Sequence, residues 1–405
     1  MTTVGPTSSG PTADGSLGAG SLGTGSAGAG SAGAGSTGTL LVISLAPALD
    51  RYARAATFRR AAINRPRTVN ALAGGKGLNA ARTAIRLGVP TRTVALIGGT
   101  TGAAIRGLAE AEGLAVTWID SGVETRQCLS LLDESDGSMT EIYEAVLPVP
   151  AEIWPAVLVA VRSQLAALTA TDVVAISGRV PDGLPDDAIG QLVALAVEAG
   201  VAVLLDSDGD QLARAVRRGP TVVKVNAEEA AAATGTDPSQ PWVAAKALQA
   251  LGAETVVITL GPTGALALTS DGRRVEVRHD PLEHALPVGS GDAFLAGLAV
   301  RHLTRPPRLP ASPASPASES SLASESSAAS ESSAAPESYA APESSLAPEG
   351  SAAPEGPPGS TDLAEDLRYA AAAGRANARH LQAGSCSPET LAAELPSILS
   401  KPGYP

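Results

Sequence analysis

With 405 residues and 29 basic against 41 acidic side chains, the chain carries a formal net charge of −12, and that acidity argues against a partner bound through a phosphate backbone. Hydrophobic residues make up 44% but aromatics only 2%, so a substantial core is expected from Ala, Val, Leu and Ile. Cys128 and Cys386 lie far apart with no pairing pattern, which argues against a disulfide framework or a zinc site and fits a reducing, cytoplasmic setting.

In chain order, residues 1–38 are nearly all Gly, Ser, Ala and Thr. They cannot bury enough apolar surface to offset chain entropy and are expected to form a disordered tail. The longest strongly apolar run, Leu40–Leu49, contains a proline and is far short of a membrane span. No basic stretch precedes it, so a secretory signal is not expected.

Short β-branched runs then read as strands at Leu40–Leu45, Arg92–Ile97, Val173–Ser177, Val201–Asp206, Thr221–Val225, Thr255–Leu260 and Ala265–Thr269. Ala/Leu-rich stretches at Gly77–Leu87, Pro185–Ala199 and Trp242–Leu251 read as helices between them. The alternation predicts an α/β fold with a mostly parallel sheet covered on both faces. Cys128–Asp133 and Met139–Glu144 flank a Ser-Asp-Gly-Ser turn and read as a hairpin, a candidate lid. From about 306 to 360 glutamates recur every sixth residue from Glu319 to Glu355 among Ala, Ser and Pro, and no Lys or Arg lies between Arg308 and Arg368. A solvated acidic low-complexity insertion is expected there.

Ligands of such sheets sit at the carboxyl ends of the strands. Two glycine loops lie in such places. In Ala73-Gly74-Gly75-Lys76-Gly77-Leu78-Asn79-Ala80-Ala81, glycines allow close backbone approach and the following helix offers its first N–H groups. An ordinary helix start fits equally. A dinucleotide fingerprint matches at Gly75, Gly77 and Ala80 but lacks the acidic residue about twenty positions on, and a Walker A loop is excluded because Gly77 follows Lys76. In Pro287-Val288-Gly289-Ser290-Gly291-Asp292, small residues before an apolar helix make an anion nest. Asp292 there either complements the helix dipole or takes the proton of an attacking hydroxyl.

Together these stretches resemble the PfkB (ribokinase-like) carbohydrate kinases. Asp50 after the first strand, Glu124-Thr125-Arg126-Gln127 before the hairpin, Ser177-Gly178-Arg179-Val180-Pro181, Asn226-Ala227-Glu228-Glu229 and Thr259-Leu260-Gly261-Pro262-Thr263-Gly264 follow in the family's order. Ala46-Pro47-Ala48-Leu49-Asp50-Arg51 and Thr125-Arg126-Gln127 are most similar to the 1-phosphofructokinase and tagatose-6-phosphate kinase branch.

The resemblance implies a ribokinase-like three-layer α/β/α domain with a small β lid. Residues 39–305 would be its first part, with lid strands at about 114–145, and 361–405 its C-terminal helices. It also implies ATP, Mg²⁺ and phosphoryl transfer to a phosphorylated ketohexose: fructose 1-phosphate, fructose 6-phosphate or tagatose 6-phosphate. By the same implication Asp292 is the base, and Gly289, Ser290 and Gly291 form the anion hole. Asp50, Gly74, Gly75 and Asn79 hold sugar hydroxyls, and Arg126, with Lys76 and Arg65, holds the existing phosphate. Thr259, Gly261, Gly264, Asn377 and Lys224 bind ATP, and Asn226 and Glu229 organise water around Mg²⁺. From spacing alone Asn226 and Glu229 read equally as a solvated helix start.

Leu286 and Pro287 stand where many relatives have Asp or Asn and then Thr, which puts a monovalent-cation site in doubt. Arg179 reads either as a second phosphate contact or as a structural ion pair. The resemblance leaves a homodimer through the lid open, and neither a nucleic-acid nor a membrane partner is expected. The alternatives are a kinase for a non-phosphorylated sugar or nucleoside, which Gly74-Gly75-Lys76-Gly77 does not distinguish but the Thr125-Arg126 pair does, and an inactive ligand-binding or scaffolding relative, against which Asp292 in an unbroken nest argues.

Overall fold

The computed structural model describes residues 38–304 and 360–402. The expected tail and acidic insertion therefore lie outside the described residues. The strands are β1 Leu40–Ser44, β2 Ala48–Ala55, β3 Thr68–Gly74, β4 Thr91–Ile97, β5 Ala115–Asp120, β6 Gln127–Asp133, β7 Met139–Tyr143, β8 Val173–Ser177, β9 Ala202–Asp206, β10 Val222–Asn226, β11 Thr255–Thr259, β12 Gly264–Thr269, β13 Arg274–Arg278 and β14 Leu399–Pro402. The α-helices are α1 Lys76–Arg86, α2 Gly99–Ala111, α3 Trp154–Leu165, α4 Ala188–Glu198, α5 Gly209–Val216, α6 Ala227–Thr234, α7 Pro241–Leu251, α8 Ser290–Thr304, α9 Ser360–Asn377 and α10 Pro388–Glu394.

The central sheet runs β14-β13-β12-β11-β10-β9-β8-β1-β4-β5. From β11 to β5 neighbouring strands are parallel, and β12, β13 and β14 add an antiparallel edge. Strand β1 is buried along its whole length, and its alternation fixes the layers. Leu41 and Ile43 enter one core with α3, α4, α5 and α7, while Leu40 and Val42 enter the other with α1, α8 and α9. Each fully buried Val, Leu or Ile is worth roughly 1.5–3 kcal/mol, so aliphatic side chains supply the core that the few aromatics cannot. The result is the three-layer α/β/α arrangement that the resemblance implies. Among the described residues no helix is long and apolar enough to cross a membrane.

A second sheet, β3-β2-β6-β7, forms the lid. The hairpin β6–β7 lies where the sequence places it, but the expected lid range of about 114–145 is corrected. Strand β5 pairs with β4 in the central sheet, and half of the lid comes from β2 and β3. The lid's inner face carries Tyr52, Leu72, Leu132 and Met139, which pack on Leu286, Val288, Leu381 and Ala383 beside the second glycine loop. There the Tyr52 hydroxyl accepts a hydrogen bond from Ala383 N at 3.1 Å. The last long helix, α9, ends at Asn377. The Asn377 side chain accepts from Gly384 N and Ser385 N and donates to Val288 O, tying the helix end to the glycine loop.

Candidate active site

Four parallel strands end in one polar row. Ile43 is level with Ile176 and Ser177 with Asp206, while Val223 is level with Leu205. Ser44, Ser177, Asp206 and Lys224 are therefore in register, one beside the next, and all point to the face covered by α1 and α8. Each is buried. Lys224 Nζ donates to Asp206 Oδ2 at 2.6 Å, and Lys76 Nζ at the start of α1 donates to Asp206 Oδ1 at 3.1 Å. Burial opposes ionisation of Asp206, but the two ammonium groups win and hold its carboxyl below the usual range.

Above this row stands Asp292, buried in the first turn of α8. Burial and then the nearby Asp206 carboxylate push its pKa up to about 6, against the pull of Lys76, the Asn79 amide and Lys224. Asn79 Nδ2 donates to Asp292 Oδ2 at 3.0 Å and also lies 3.4 Å from Asp50 Oδ2. Gly75 N donates to the same Asp50 oxygen at 3.2 Å. Gly74 makes that approach feasible, since a Cβ there would lie 2.1 Å from Asp50 Oδ2. Burial raises the Asp50 pKa, with Gly75 N, Asn79, Arg82 and Arg126 acting the other way. A base poised near neutrality thus shares one amide with a second carboxylate. That is the equipment for taking a proton from a hydroxyl.

Beside Asp292, Gly289 has φ +74° and its place for a Cβ is filled by Ala383 at 2.3 Å. A Cβ on Gly291 would come within 3.1 Å of Lys224 Nζ, so this loop and an ammonium group share one cradle for an anion. Within the expected anion hole, Ser290 N is already donated to Pro287 O at 3.0 Å. Asn377 Nδ2 lies 3.5 Å from Ser290 Oγ.

Asn226 and Glu229 form a capping box at α6, with Glu229 N donating to Asn226 Oδ1 at 2.7 Å and Asn226 N to Glu229 Oε2 at 3.0 Å. Glu229 Oε1 also accepts from Lys76 Nζ at 3.2 Å, so the pair belongs to the site as well as to the helix start. Among the described residues no three His, Cys, Asp or Glu gather as a ligand set. Thr259 ends β11 with its hydroxyl 3.4 Å from Val225 O, Gly261 opens the following turn, and Gly264 begins β12.

The members of the expected basic set are held in different ways. Lys76 is held by Asp206 and Glu229, Arg179 pairs with Asp208 at 2.9 Å on the surface, and Arg65 lies exposed between β2 and β3. For Arg179 the structure thus favours the ion-pair reading. Arg126 differs: its Nη2 lies 3.4 Å from Ala46 O, and its Nε is buried without a hydrogen-bond partner. Sequence reasoning missed two members of the site. Asp206 gave one signal, an acidic residue closing an apolar strand. Arg82 gave only a polar position on a helix that is buried throughout its middle.

A sequence profile described as "pfkB family carbohydrate kinase" matches residues 39–314. A curated 1-phosphofructokinase from Xanthomonas campestris pv. campestris is 32% identical over 267 residues, 64% of this chain and 82% of that protein. ATP-dependent 6-phosphofructokinase isozyme 2 from Escherichia coli is 29% identical over 233 residues, 56% of this chain and 74% of that one. Among solved structures, phosphofructokinase-2 from Escherichia coli in complex with potassium superposes with a TM-score of 0.68 at 22% identity, covering 89% of this chain and 98% of the other.

Proposed function

Because this chain belongs to the pfkB family of carbohydrate kinases, we propose that it transfers the γ-phosphoryl group of ATP to a hydroxyl of a ketohexose that already carries a phosphate. Carbohydrate kinases of this kind are phosphotransferases that use ATP with a divalent metal. One observation carries the finer reading, the buried and unpartnered Nε of Arg126. A half-buried guanidinium whose Nε lacks a partner within the chain, within electrostatic reach of Asp50, is suited to a substrate phosphate. The similarity to a 1-phosphofructokinase supports the same choice.

In this reading Asp50 and Asn79 hold the sugar hydroxyls, with the backbone of Gly74 and Gly75 close against them. Asp292 takes the proton as the hydroxyl attacks. The Gly289–Gly291 loop with Lys224 faces the charge that develops on the transferring group. Thr259, Gly261 and Gly264 border the nucleotide, whereas Asn377, expected there as well, is fully buried and holds the anion loop from behind through Val288 O, Gly384 N and Ser385 N. Mg²⁺ supplies neutralisation of the phosphate oxygens, and Asn226 and Glu229 would hold it through water. The potassium complex belongs to a protein of the same fold, so the Leu286-Pro287 departure alone does not argue against a cation here. Exposed Val69, Ile142 and Tyr143 on the lid support assembly through that sheet.

The neutral-sugar reading has one observation in its favour, namely that Lys76 and Arg179 are engaged by carboxylates of the chain itself. ADP release measured with fructose, ribose, fructose 1-phosphate, fructose 6-phosphate and tagatose 6-phosphate separates the two. A phosphorylated ketohexose should be turned over fastest. Faster turnover of a neutral sugar sinks the proposal, and silence on all five points to an inactive relative.

A further inference from the structure

We propose that Arg82 is a positioning residue that fixes the amide of Asn79, and through it the placement of the Asp50 and Asp292 carboxylates. Arg82 lies on α1, one turn after Asn79, and is 2% exposed. Its Nη1 donates to Asn79 Oδ1 at 3.0 Å. A guanidinium has donors only, so the amide must offer it oxygen and turn its NH₂ the other way. That NH₂ faces Asp292 Oδ2 and Asp50 Oδ2. A flipped amide would set its oxygen against two carboxylates. The guanidinium is itself held by Ala73 O at the end of β3 and by Glu112 after α2, with Nη2 3.0 Å from Glu112 Oε1. Its stem is clamped as well, since a Cβ on Gly384 would lie 2.8 Å from Arg82 Cδ. Gly384 N donates to Asn377 Oδ1 at 2.8 Å. Arg82 thus joins the acceptor side of the site to the segment that backs the Gly289 loop.

The inference rests on the kinase reading for the roles of Asp50 and Asp292. Arg82→Lys keeps a charge beside Glu112 but lacks the fork that reaches Asn79, Ala73 and Glu112 together. It should lower kcat about tenfold to a hundredfold. In an Asn79→Ala background the same change should cost less than about twofold, because the group being positioned is gone. Equal losses in both backgrounds overturn the inference. Should Arg82→Lys fail to fold, Arg82→Met with Glu112→Gln removes the pair as a unit and reads the same ratio. Exchange of the Asn79 side-chain amide protons, followed by NMR, needs no turnover. They should be protected in the parent protein and lose protection in Arg82→Lys, and unchanged protection also overturns the inference. Lost protection in a protein inactive on every sugar and sugar phosphate would instead sink the kinase reading and leave the Arg82 geometry standing.

Discussion

Along the carboxyl edge of the central sheet, Ser44, Ser177, Asp206 and Lys224 are 0–4% exposed, whereas on the lid Arg51, Arg54, Val69 and Ile142 stand open to solvent. The central strands are covered on both faces, so a charge survives there only when another charge answers it. Lys76, Asp206 and Lys224 answer one another. The lid is covered on its inner face, while its other face has only the small cluster of Ala53, Ala55 and Leu131 under Phe58. Its groups and those at its root need not be satisfied within the chain, and the unpartnered Nε of Arg126 lies just before β6. The contrast separates two tasks. On the proposed function, fixed charge for the chemistry would belong to the buried sheet and choice of acceptor to the half-covered one.

The largest effect should come from the buried side. Asp292→Asn keeps the shape and most hydrogen bonding but cannot take a proton, so kcat should fall by about 10²–10⁴-fold in a coupled ADP assay. Turnover by the parent enzyme should fall as pH drops through about 6, where Asp292 becomes protonated. The stability effect has the opposite sign. A carboxyl with a raised folded pKa destabilises the native state at high pH and not below its unfolded value near 3.8. Asp292→Asn should therefore gain roughly 2–3 kcal/mol at neutral pH by urea unfolding, and the gain should vanish towards pH 4. Unchanged turnover would remove Asp292 from the mechanism.

Next in size, Asp206→Asn strands the buried Lys224 ammonium and leaves the half-buried Lys76 with Glu229 alone. About 3–5 kcal/mol of stability should be lost, visible as a lower Tm. A variant as stable as the parent would show that the row is not the locked element described here. On the lid side, Arg126→Ala should lower kcat/KM for a sugar phosphate about tenfold to a hundredfold and leave KM for ATP nearly unchanged. An equal loss for neutral sugars would dissolve the division of labour between the two sheets. The smallest effect belongs to Arg179→Ala. Its exposed pair with Asp208 should be worth less than roughly 1 kcal/mol, with turnover unchanged. A change in KM for the sugar phosphate would return Arg179 to the substrate.

The same contrast explains what could be read from sequence. Strands buried on both faces, such as Leu40–Ser44 and Val173–Ser177, are continuous apolar runs and are legible within a residue or two. Strand β2 is not, because exposed arginines at 51 and 54, one on each face, break the run. Strand β5 lies at the sheet edge with only Ile119 fully buried, and a half-exposed strand carries no core signature. At the site, the glycine loops and Asp292 were legible because backbone needs dictate residue type there. The partners of Lys76 were not, since no local pattern says that Asp206 and Glu229 meet it across 130 and 153 positions. Arg82 was hidden for a related reason. Helical periodicity marks a face but cannot say that an arginine on it is buried.

The seam between α8 and α9 has a consequence for how the chain can be divided. A Cβ on Gly297 would lie 2.8 Å from Ala370 Cα, and one on Gly374 would lie 3.0 Å from Ser290 O, so the two backbones meet almost without intervening side chains. Such close-packed surfaces recognise each other by shape. A piece ending after Thr304 and a piece beginning at Ser360 would each carry half of that seam, with Asp292 on one and Asn377 on the other. Recovered phosphoryl transfer on mixing the two would then report their reassembly, making the enzyme its own sensor of whether two polypeptides have come together.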